Sequence, residues 1–203
     1  MNDSYLTIEE SILHKITRKK SRFIALLSAA ASPDDVSEQL SKARKLYHDA
    51  THHCSAYRLL MDDALIEGSS DDGEPAGSAG MPMLHQLAGH DLCNVLAIVI
   101  RYYGGTNLGV GGLVRAYSDA VSEALEHVRI ITQALLTHIT IRFPVEVNSS
   151  VMSTLHRFPV QIEALMYEEP VRIECSLPPS QVNALRGALT EATGARVEME
   201  VAL

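Results

Sequence analysis

The chain has 203 residues, 46% of them hydrophobic, and its 17 basic and 25 acidic residues give a formal net charge of −8. Such a balance argues against a protein that coats nucleic acid, because like charges repel at long range. The aliphatic run at residues 96–100 is too short to cross a bilayer, and the N-terminus has no apolar signal segment. With three widely spaced cysteines and no CxxC pair, we expect a cytoplasmic protein without disulfides or membrane association.

The first half of the chain predicts strands and helices in a mixed order. Residues 6–19 and 22–28 are strand-like. At "SPDD" we expect a helix, because Ser32 can cap it, the next proline suits its first position, and two aspartates complement its positive end. The next strand is expected at residues 52–60.

Residues 83–89 predict a short helix that leads into the most apolar strand of the chain, at residues 94–103. Because this strand is apolar on both faces until its end, we expect it at the centre of a buried sheet. After the glycine-rich run "GGTNLGVGG", a helix is predicted over residues 113–128. Its predicted buried face consists of Leu113, Ala116, Tyr117, Ala120, Val121, Ala124 and Leu125.

The second half of the chain predicts the order βαββαβ, which is that of the ferredoxin-like fold. Its first strand is expected at residues 135–143, and its second helix is expected to stop at Gly194. The predicted inner faces of the two helices are Val147, Val151, Leu155 and Val182, Leu185, Leu189, Ala192. The chain is therefore predicted to be α+β, with domains at residues 1–132 and 135–203.

The glycine-rich run at residues 104–112 (the glycine loop) lies between a buried strand and a helix, a place where proteins often bind phosphate. Glycine lets the backbone approach a ligand closely, and the first turn of a helix offers free N–H groups and partial positive charge. We predict a phosphate or nucleic-acid site, although the run matches neither common nucleotide fingerprint; the alternative is a tight chain reversal. Its residues would be Arg101, Gly104, Gly105, Gly109, Gly111, Gly112 and Arg115.

A basic segment, "HKITRKKSR" at residues 14–22, is a second candidate for phosphate contact in this acidic chain. The alternative is a solvated strand edge that its lysines protect from pairing with other chains. The cations of this segment are Lys15, Arg18, Lys19, Lys20 and Arg22.

The loop "SSDDGEPAGSAGMP" at residues 69–82 (the acidic loop) is long for a connection inside a domain, which indicates a functional surface. Its carboxylates are Asp71, Asp72 and Glu74. If the acidic loop meets the glycine loop, Asp71 and Asp72 could hold Mg²⁺ beside a phosphate. If it does not, the two aspartates could cap turns of their own backbone, and sequence spacing leaves both possibilities open.

His52 and Cys54 lie on one side of a predicted strand and invite a zinc proposal. Zinc needs three or four protein ligands, and the absence of a CxxC or HExxH pattern in the sequence disfavours such a site. A nucleophilic pair of Cys54 with a histidine has no identifiable oxyanion device beside it, so we expect Cys54 to be a small, half-buried residue.

Four segments in order resemble the IMPACT family, most closely its bacterial YigZ-type members. They are "KKSRFIA", "ATHHCSAYR", "SSDDGEPAGSAGMPML" and "VIRYYGGTNLGVGGLVRAYSDAV", all within residues 19–121. The rest of the chain is similar to the C-terminal domain of those bacterial members. The resemblance implies an N-terminal domain of the ribosomal-protein-S5 domain-2-like kind and a C-terminal ferredoxin-like domain similar to those of elongation factor G.

The resemblance also implies a role in translation. In eukaryotes the family restrains a starvation-activated kinase, partly through an additional N-terminal domain that is not expected here, because the motifs begin at residue 19. We therefore expect a non-catalytic regulator that binds RNA, the ribosome or a translation factor. Two alternatives stay open: a Mg²⁺-dependent enzyme or sensor of a phosphorylated small molecule, and a protein-interaction adaptor. No cofactor other than Mg²⁺ is expected.

The chain departs from the family pattern at three positions. Met81 stands where members often have lysine, and Asn107 and Val110 stand where the glycine loop often has lysine and threonine. Two cations and one hydroxyl are thus missing, and each lost phosphate contact would lower the log–log salt slope of nucleic-acid binding by about 0.9.

Overall fold

The computed structural model describes residues 3–61 and 64–201, which divide into two compact units. One unit is Leu6–Thr132, and the other begins at Gln133 and also takes in the start of the chain up to Tyr5. Each unit combines helices with antiparallel strands, so the predicted α+β fold class is confirmed. Within the described residues, no helix is both long and apolar enough to cross a membrane.

The start of the chain was predicted to belong to the domain at residues 1–132. In the structure, the residues up to Tyr5 belong instead to the unit that begins at Gln133 (the C-terminal unit). The Asp3 carboxylate accepts hydrogen bonds from the amide and the hydroxyl of Ser180, at 3.0 and 2.6 Å. These two bonds lower the pKa of Asp3. Next to it, β1 (Ser4–Ile8) pairs with β7 (Ile130–Ala134) in a two-stranded sheet.

The Leu6–Thr132 unit is built on one antiparallel sheet with helices on both faces. Its elements are β2 (Ile12–Arg18), β3 (Ser21–Ala29), α1 (Pro33–Leu46), β4 (His52–Met61), β5 (Ala64–Ser70), α2 (Gly80–Gly89), β6 (Val95–Tyr102) and α3 (Val110–Leu125). The strand order is β2-β3-β6-β4-β5, so β6 is central, as predicted. From Val95 to Val99, alternate residues of β6 enter the core under α2 and α3, and the intervening ones enter the core under α1.

The predicted N-terminal cap of α1 and the predicted buried face of α3 are both confirmed. Ser32 Oγ accepts a hydrogen bond from the Asp35 amide, and the Asp35 carboxylate accepts from the amides of Ser32 and Ala31, which makes a capping box. These bonds lower the pKa of Asp35. Buried residues on the inner face of α3 are Leu113, Ala116, Tyr117, Ala120, Val121, Ala124 and Leu125.

Three features of this unit differ from the sequence prediction. β5 was not expected, because it is an edge strand whose side chains are almost all exposed and therefore show no alternation. α3 begins at Val110 rather than at residue 113, so Gly111 and Gly112 belong to its first turn and not to the preceding loop. Similarly, α2 begins at Gly80, three residues before the predicted start.

The C-terminal unit has the predicted ferredoxin-like order. Its elements are β8 (Thr137–Phe143), α4 (Asn148–Leu155), β9 (Gln161–Met166), β10 (Val171–Leu177), α5 (Val182–Thr193) and β11 (Glu198–Val201), with the sheet order β11-β8-β10-β9. One prediction for α5 is wrong: Ala192 is exposed, and Thr193 is buried with Leu185 and Leu189 at intervals of four. Gly194 ends the helix in a left-handed conformation, as expected.

Candidate functional site

The acidic loop is an ordered structure held by its first aspartate. The Asp71 carboxylate accepts hydrogen bonds from the amides of Gly77, Ala79 and Gly80, at 2.8, 2.9 and 2.8 Å. The last two amides belong to the start of α2, so Asp71 caps that helix from outside it. Burial acts to raise the pKa of Asp71, but the three amide donors outweigh it and hold the pKa below its usual value.

The second aspartate joins the acidic loop to its neighbours in the fold. The Asp72 carboxylate accepts hydrogen bonds from the amide of His53, at 2.7 Å, and from the guanidinium of Arg44, at 2.8 Å. Both aspartates that the sequence offers to Mg²⁺ are thus engaged by the chain itself. No group of three or more His, Cys, Asp and Glu side chains in the described residues is arranged to hold a metal ion, and Mg²⁺ binding stays a prediction.

Glu74, expected at the loop surface, lies inside the unit with only 3% of its side chain exposed. Its Oε1 accepts hydrogen bonds from Arg101 Nη1, at 2.5 Å, and from the hydroxyl of Tyr117, at 2.7 Å. Arg101 is itself buried, at the end of the central strand. A buried ion pair needs both partners, because either charge left alone in the interior is strongly destabilising.

Two further polar groups continue this buried cluster. The Sγ of Cys54 lies 3.3 Å from the Tyr117 hydroxyl and 3.0 Å from the carbonyl oxygen of Asp71. Cys54 is completely buried rather than half-buried, and burial raises the pKa of its thiol to about 12 and also raises the pKa of Tyr117. The thiol is therefore protonated at neutral pH and is a poor nucleophile. Sequence reasoning treated Tyr117 as core alone, although a buried tyrosine hydroxyl requires a partner.

A cavity of about 360 Å³ opens beside this cluster (the central cavity). Its walls include Glu74 and Pro75 of the acidic loop together with Gly109 and Val110 at the start of α3. The acidic loop and the glycine loop therefore converge, which the sequence left open. His52, at the start of β4, also lines the central cavity and was considered only as a zinc ligand in the sequence.

His52 has a tautomer that its neighbours define. Its Nδ1 lies 2.8 Å from the carbonyl oxygen of Asp72, which can only accept, so Nδ1 carries the proton. Nε2 of the neutral ring is then an acceptor, and it lies 3.8 Å from Oε1 of Glu74. A histidine oriented in this way can accept a hydrogen bond from a ligand in the central cavity.

Two glycines of the glycine loop have a clear structural requirement. A Cβ on Gly104 would lie 2.1 Å from the carbonyl carbon of Lys20, and the Gly104 amide donates to Ser21 Oγ at 3.1 Å. Gly109, the residue before α3, has φ 73° and ψ 162°, a conformation that is almost restricted to glycine. Gly104 thus fixes the glycine loop against the β2–β3 hairpin, and Gly109 sets the start of α3.

Lys19 and Lys20 are the whole connection between β2 and β3, with φ of 45° and 68°. A two-residue hairpin turn with positive φ at both positions is of type I′. Beside this basic turn is a depression of about 220 Å³ (the basic depression), which Lys19 lines together with Leu108, Gly112 and Arg115. Four of the predicted phosphate-contacting residues therefore line one place, together with the acidic Asp119: Arg18, Lys19, Gly112 and Arg115.

Three of the predicted cations are not available to phosphate in the same way. Arg18 makes ion pairs with Asp119, at 3.0 Å, and with Glu123, at 2.5 Å, which raise its pKa and lower that of Glu123. Lys15 and Arg22 alternate with the residues that enter the core under α2 and α3, so they lie on the opposite face of the sheet. The basic segment therefore does not form one surface.

Comparisons with known proteins identify the family. A family model described as the Impact N-terminal domain matches residues 19–125, which include every residue that lines the central cavity. The chain is 34% identical over 200 residues to IMPACT family member YvyE of Bacillus subtilis, covering 98% of this chain and 92% of that protein. It is 36% identical over 174 residues to IMPACT family member YigZ of Escherichia coli, covering 85% of each. The chain belongs to the IMPACT family.

A solved structure agrees with this assignment over the whole chain. The crystal structure of a hypothetical protein is 32% identical and has a TM-score of 0.74, covering 100% of this chain and 98% of the other. The resemblance seen in the four sequence segments is therefore confirmed.

The Glu74–Arg101 pair is expected to be the most sensitive point of this unit. Glu74→Gln or Arg101→Met alone should reduce the free energy of unfolding by about 3–5 kcal/mol, because each leaves one buried group without its partner. The double variant should lose clearly less than the sum of the two. Urea-dependent pulse labelling of the buried Cys54 thiol, read by peptide mass, measures the stability of this unit specifically.

Tyr117→Phe is the control for this cycle, since it removes one hydroxyl without removing a charge and should cost less, about 1.5–3 kcal/mol. Additive losses in the double variant would show that the two side chains do not depend on each other.

Asp71→Ala is expected to destabilise the same unit by about 1–2 kcal/mol at neutral pH, since three amides lose their acceptor. Because the folded state lowers the pKa of Asp71, its contribution is complete above the ordinary carboxyl value of about 4 and is lost as the pH falls through the folded pKa. The difference from the unaltered protein should therefore shrink in acid, in urea unfolding followed by far-UV circular dichroism across pH.

Asp71→Asn keeps one acceptor oxygen and has no charge to titrate. Its loss of stability relative to the unaltered protein should be smaller than that of Asp71→Ala, and it should appear only above that pH range. A deficit for Asp71→Ala that stays constant down to strong acid would contradict the assignment.

Proposed function

We propose that this protein is a non-catalytic, cytoplasmic, translation-associated regulator that binds RNA through the basic depression. Membership of the IMPACT family supports a role in translation, since the resemblance implies such a role for eukaryotic members. RNA is favoured over a protein partner because the depression combines cations with the first turn of a helix. These groups are typical contacts to phosphate.

The observation that carries this proposal is the meeting of Lys19 and Arg115 beside Gly112. Among the described residues neither cation has an ion-pair partner, whereas Arg18, which lines the same depression, pairs with Asp119 and Glu123. Amides in the first turn of α3 add partial positive charge at the same place. The local charge is thus positive on a chain whose net charge is −8.

The conformation of the basic turn supports a functional reason for its lysines. A left-handed conformation costs a non-glycine residue about 1–2 kcal/mol, and Lys19 and Lys20 both adopt it. Asn-Gly is the preferred sequence for a type I′ turn, so stability alone would favour those residues over two lysines. Strained positions that the rest of the fold maintains are often functional.

Lys19→Asn together with Lys20→Gly separates stability from binding. The variant should unfold at a higher temperature, because both residues suit the turn, yet it should bind RNA more weakly. The slope of log affinity against log salt should decrease in magnitude by about 1.4–1.8, since two phosphate contacts are lost. Fluorescence anisotropy of a labelled structured RNA, titrated at several salt concentrations, measures both quantities.

Lys42→Gln together with Lys45→Gln is the matched control, because it removes the same two charges from the exposed side of α1. Its RNA affinity and salt slope should equal those of the unaltered protein. Unchanged RNA binding in the turn variant would overturn the proposal. Capture of ribosomes or translation factors that survives nuclease treatment would instead favour the adaptor alternative.

A further inference from the structure

The central cavity is a second candidate site, separate from the basic depression. At about 360 Å³ it is at the small end of the range for small-molecule sites, which is roughly 300–1,000 Å³. One wall carries hydrogen-bond donors and another carries acceptors. This division of donors and acceptors indicates which chemistry the cavity would bind.

The donor wall is the start of α3 together with Arg101. The first turn of α3 consists of the uncharged residues Val110, Gly111, Gly112 and Leu113, and its cap, Gly109, has no side chain that could accept from them. Arg101 is 94% buried, given its relative exposure of 6%, and its Nε–H has no acceptor among the described residues. A buried donor without an acceptor is uncommon, and it adds to the positive character of this wall.

The acceptor wall consists of His52 and Glu74. The Nδ1–H of His52 donates to the Asp72 carbonyl, so in the neutral form of the ring Nε2 is the acceptor. In the described residues Glu74 receives its hydrogen bonds at Oε1, from Arg101 and Tyr117, which leaves Oε2 for another donor. Inorganic phosphate would meet only the donor wall and would face the Glu74 carboxylate. If the same ligand also carries a hydroxyl group, that hydroxyl can donate a hydrogen bond to the Glu74 carboxylate.

The geometry points to a binding site for a small phosphate monoester that carries hydroxyl groups, the chemistry that sugar phosphates and ribonucleotides share. The phosphate accepts hydrogen bonds from the amides in the first turn of α3, beside the guanidinium of Arg101. A hydroxyl of the ligand donates to His52 Nε2 or to Glu74. This site goes beyond RNA binding and does not depend on it, since the cations of the basic depression do not line it.

Val110→Glu tests the donor wall without disturbing the fold. Val110 is 56% exposed, and a carboxylate in the first turn of a helix complements the helix dipole, so the variant should be at least as stable as the unaltered protein. The new charge occupies the place of the phosphate and should weaken ester binding by at least about tenfold. Val110→Gln, of the same size without the charge, should bind within about twofold of the unaltered protein.

Calorimetric titration of the full chain, with and without Mg²⁺, supplies the measurement. One arm uses ribose 5-phosphate and glucose 6-phosphate, a second uses AMP and GMP, and reference titrations use ribose, adenosine and inorganic phosphate. We expect one arm or both to bind at least about tenfold more tightly than the references, and the stronger arm identifies the source of the ligand. His52→Leu, which has no acceptor, should reduce the advantage of the esters over inorganic phosphate.

Four results would overturn the site: binding to neither arm, inorganic phosphate as tight as the esters, unchanged binding by Val110→Glu, or equal losses in Val110→Glu and Val110→Gln. The Lys19→Asn and Lys20→Gly variant should keep its affinity for the esters. Failure of RNA binding and failure of this site are therefore distinguishable.

Discussion

The buried ion pair of Glu74 and Arg101 is the constraint on which the N-terminal unit depends. It joins the acidic loop to the end of the central strand, and the Tyr117 hydroxyl extends it to α3. Since neither charge is tolerable alone in the interior, the acidic loop is held against the sheet at this point. Asp71 and Asp72 then hold the rest of the loop through the start of α2 and through β4.

Two candidate sites result from this one arrangement, on either side of the segment from Leu108 to Gly112. The central cavity contains hydrogen-bond donors and acceptors in separate walls, which suits a small molecule. The basic depression is bordered by long exposed cations, which suits a polyanion whose register need not be fixed. Both share the start of α3, so a single helix terminus contributes amides to two different kinds of recognition.

Departures from local structural preference are concentrated in the same region. Lysines occupy a turn that favours Asn-Gly, Gly109 holds a conformation almost restricted to glycine, and a buried Arg101 Nε lacks an acceptor among the described residues. The capped helix α1 and the C-terminal sheet, by contrast, follow local rules closely. Local conflicts that a stable fold maintains are expected at functional sites, because selection for binding opposes selection for stability there.

The sequence by itself determined the fold class, the capping of α1, the buried face of α3, the ferredoxin-like order and the family, because each depends on neighbours in the chain or on a periodic pattern. It did not reveal β5, whose exposed side chains have no period, nor the helical start at Val110. Only the tertiary structure decided that Glu74 is buried, that Arg18 is neutralised by α3, and that Lys19 meets Arg115. Those outcomes depend on contacts between residues far apart in the chain, which sheet order and helix packing bring together and which sequence spacing does not encode.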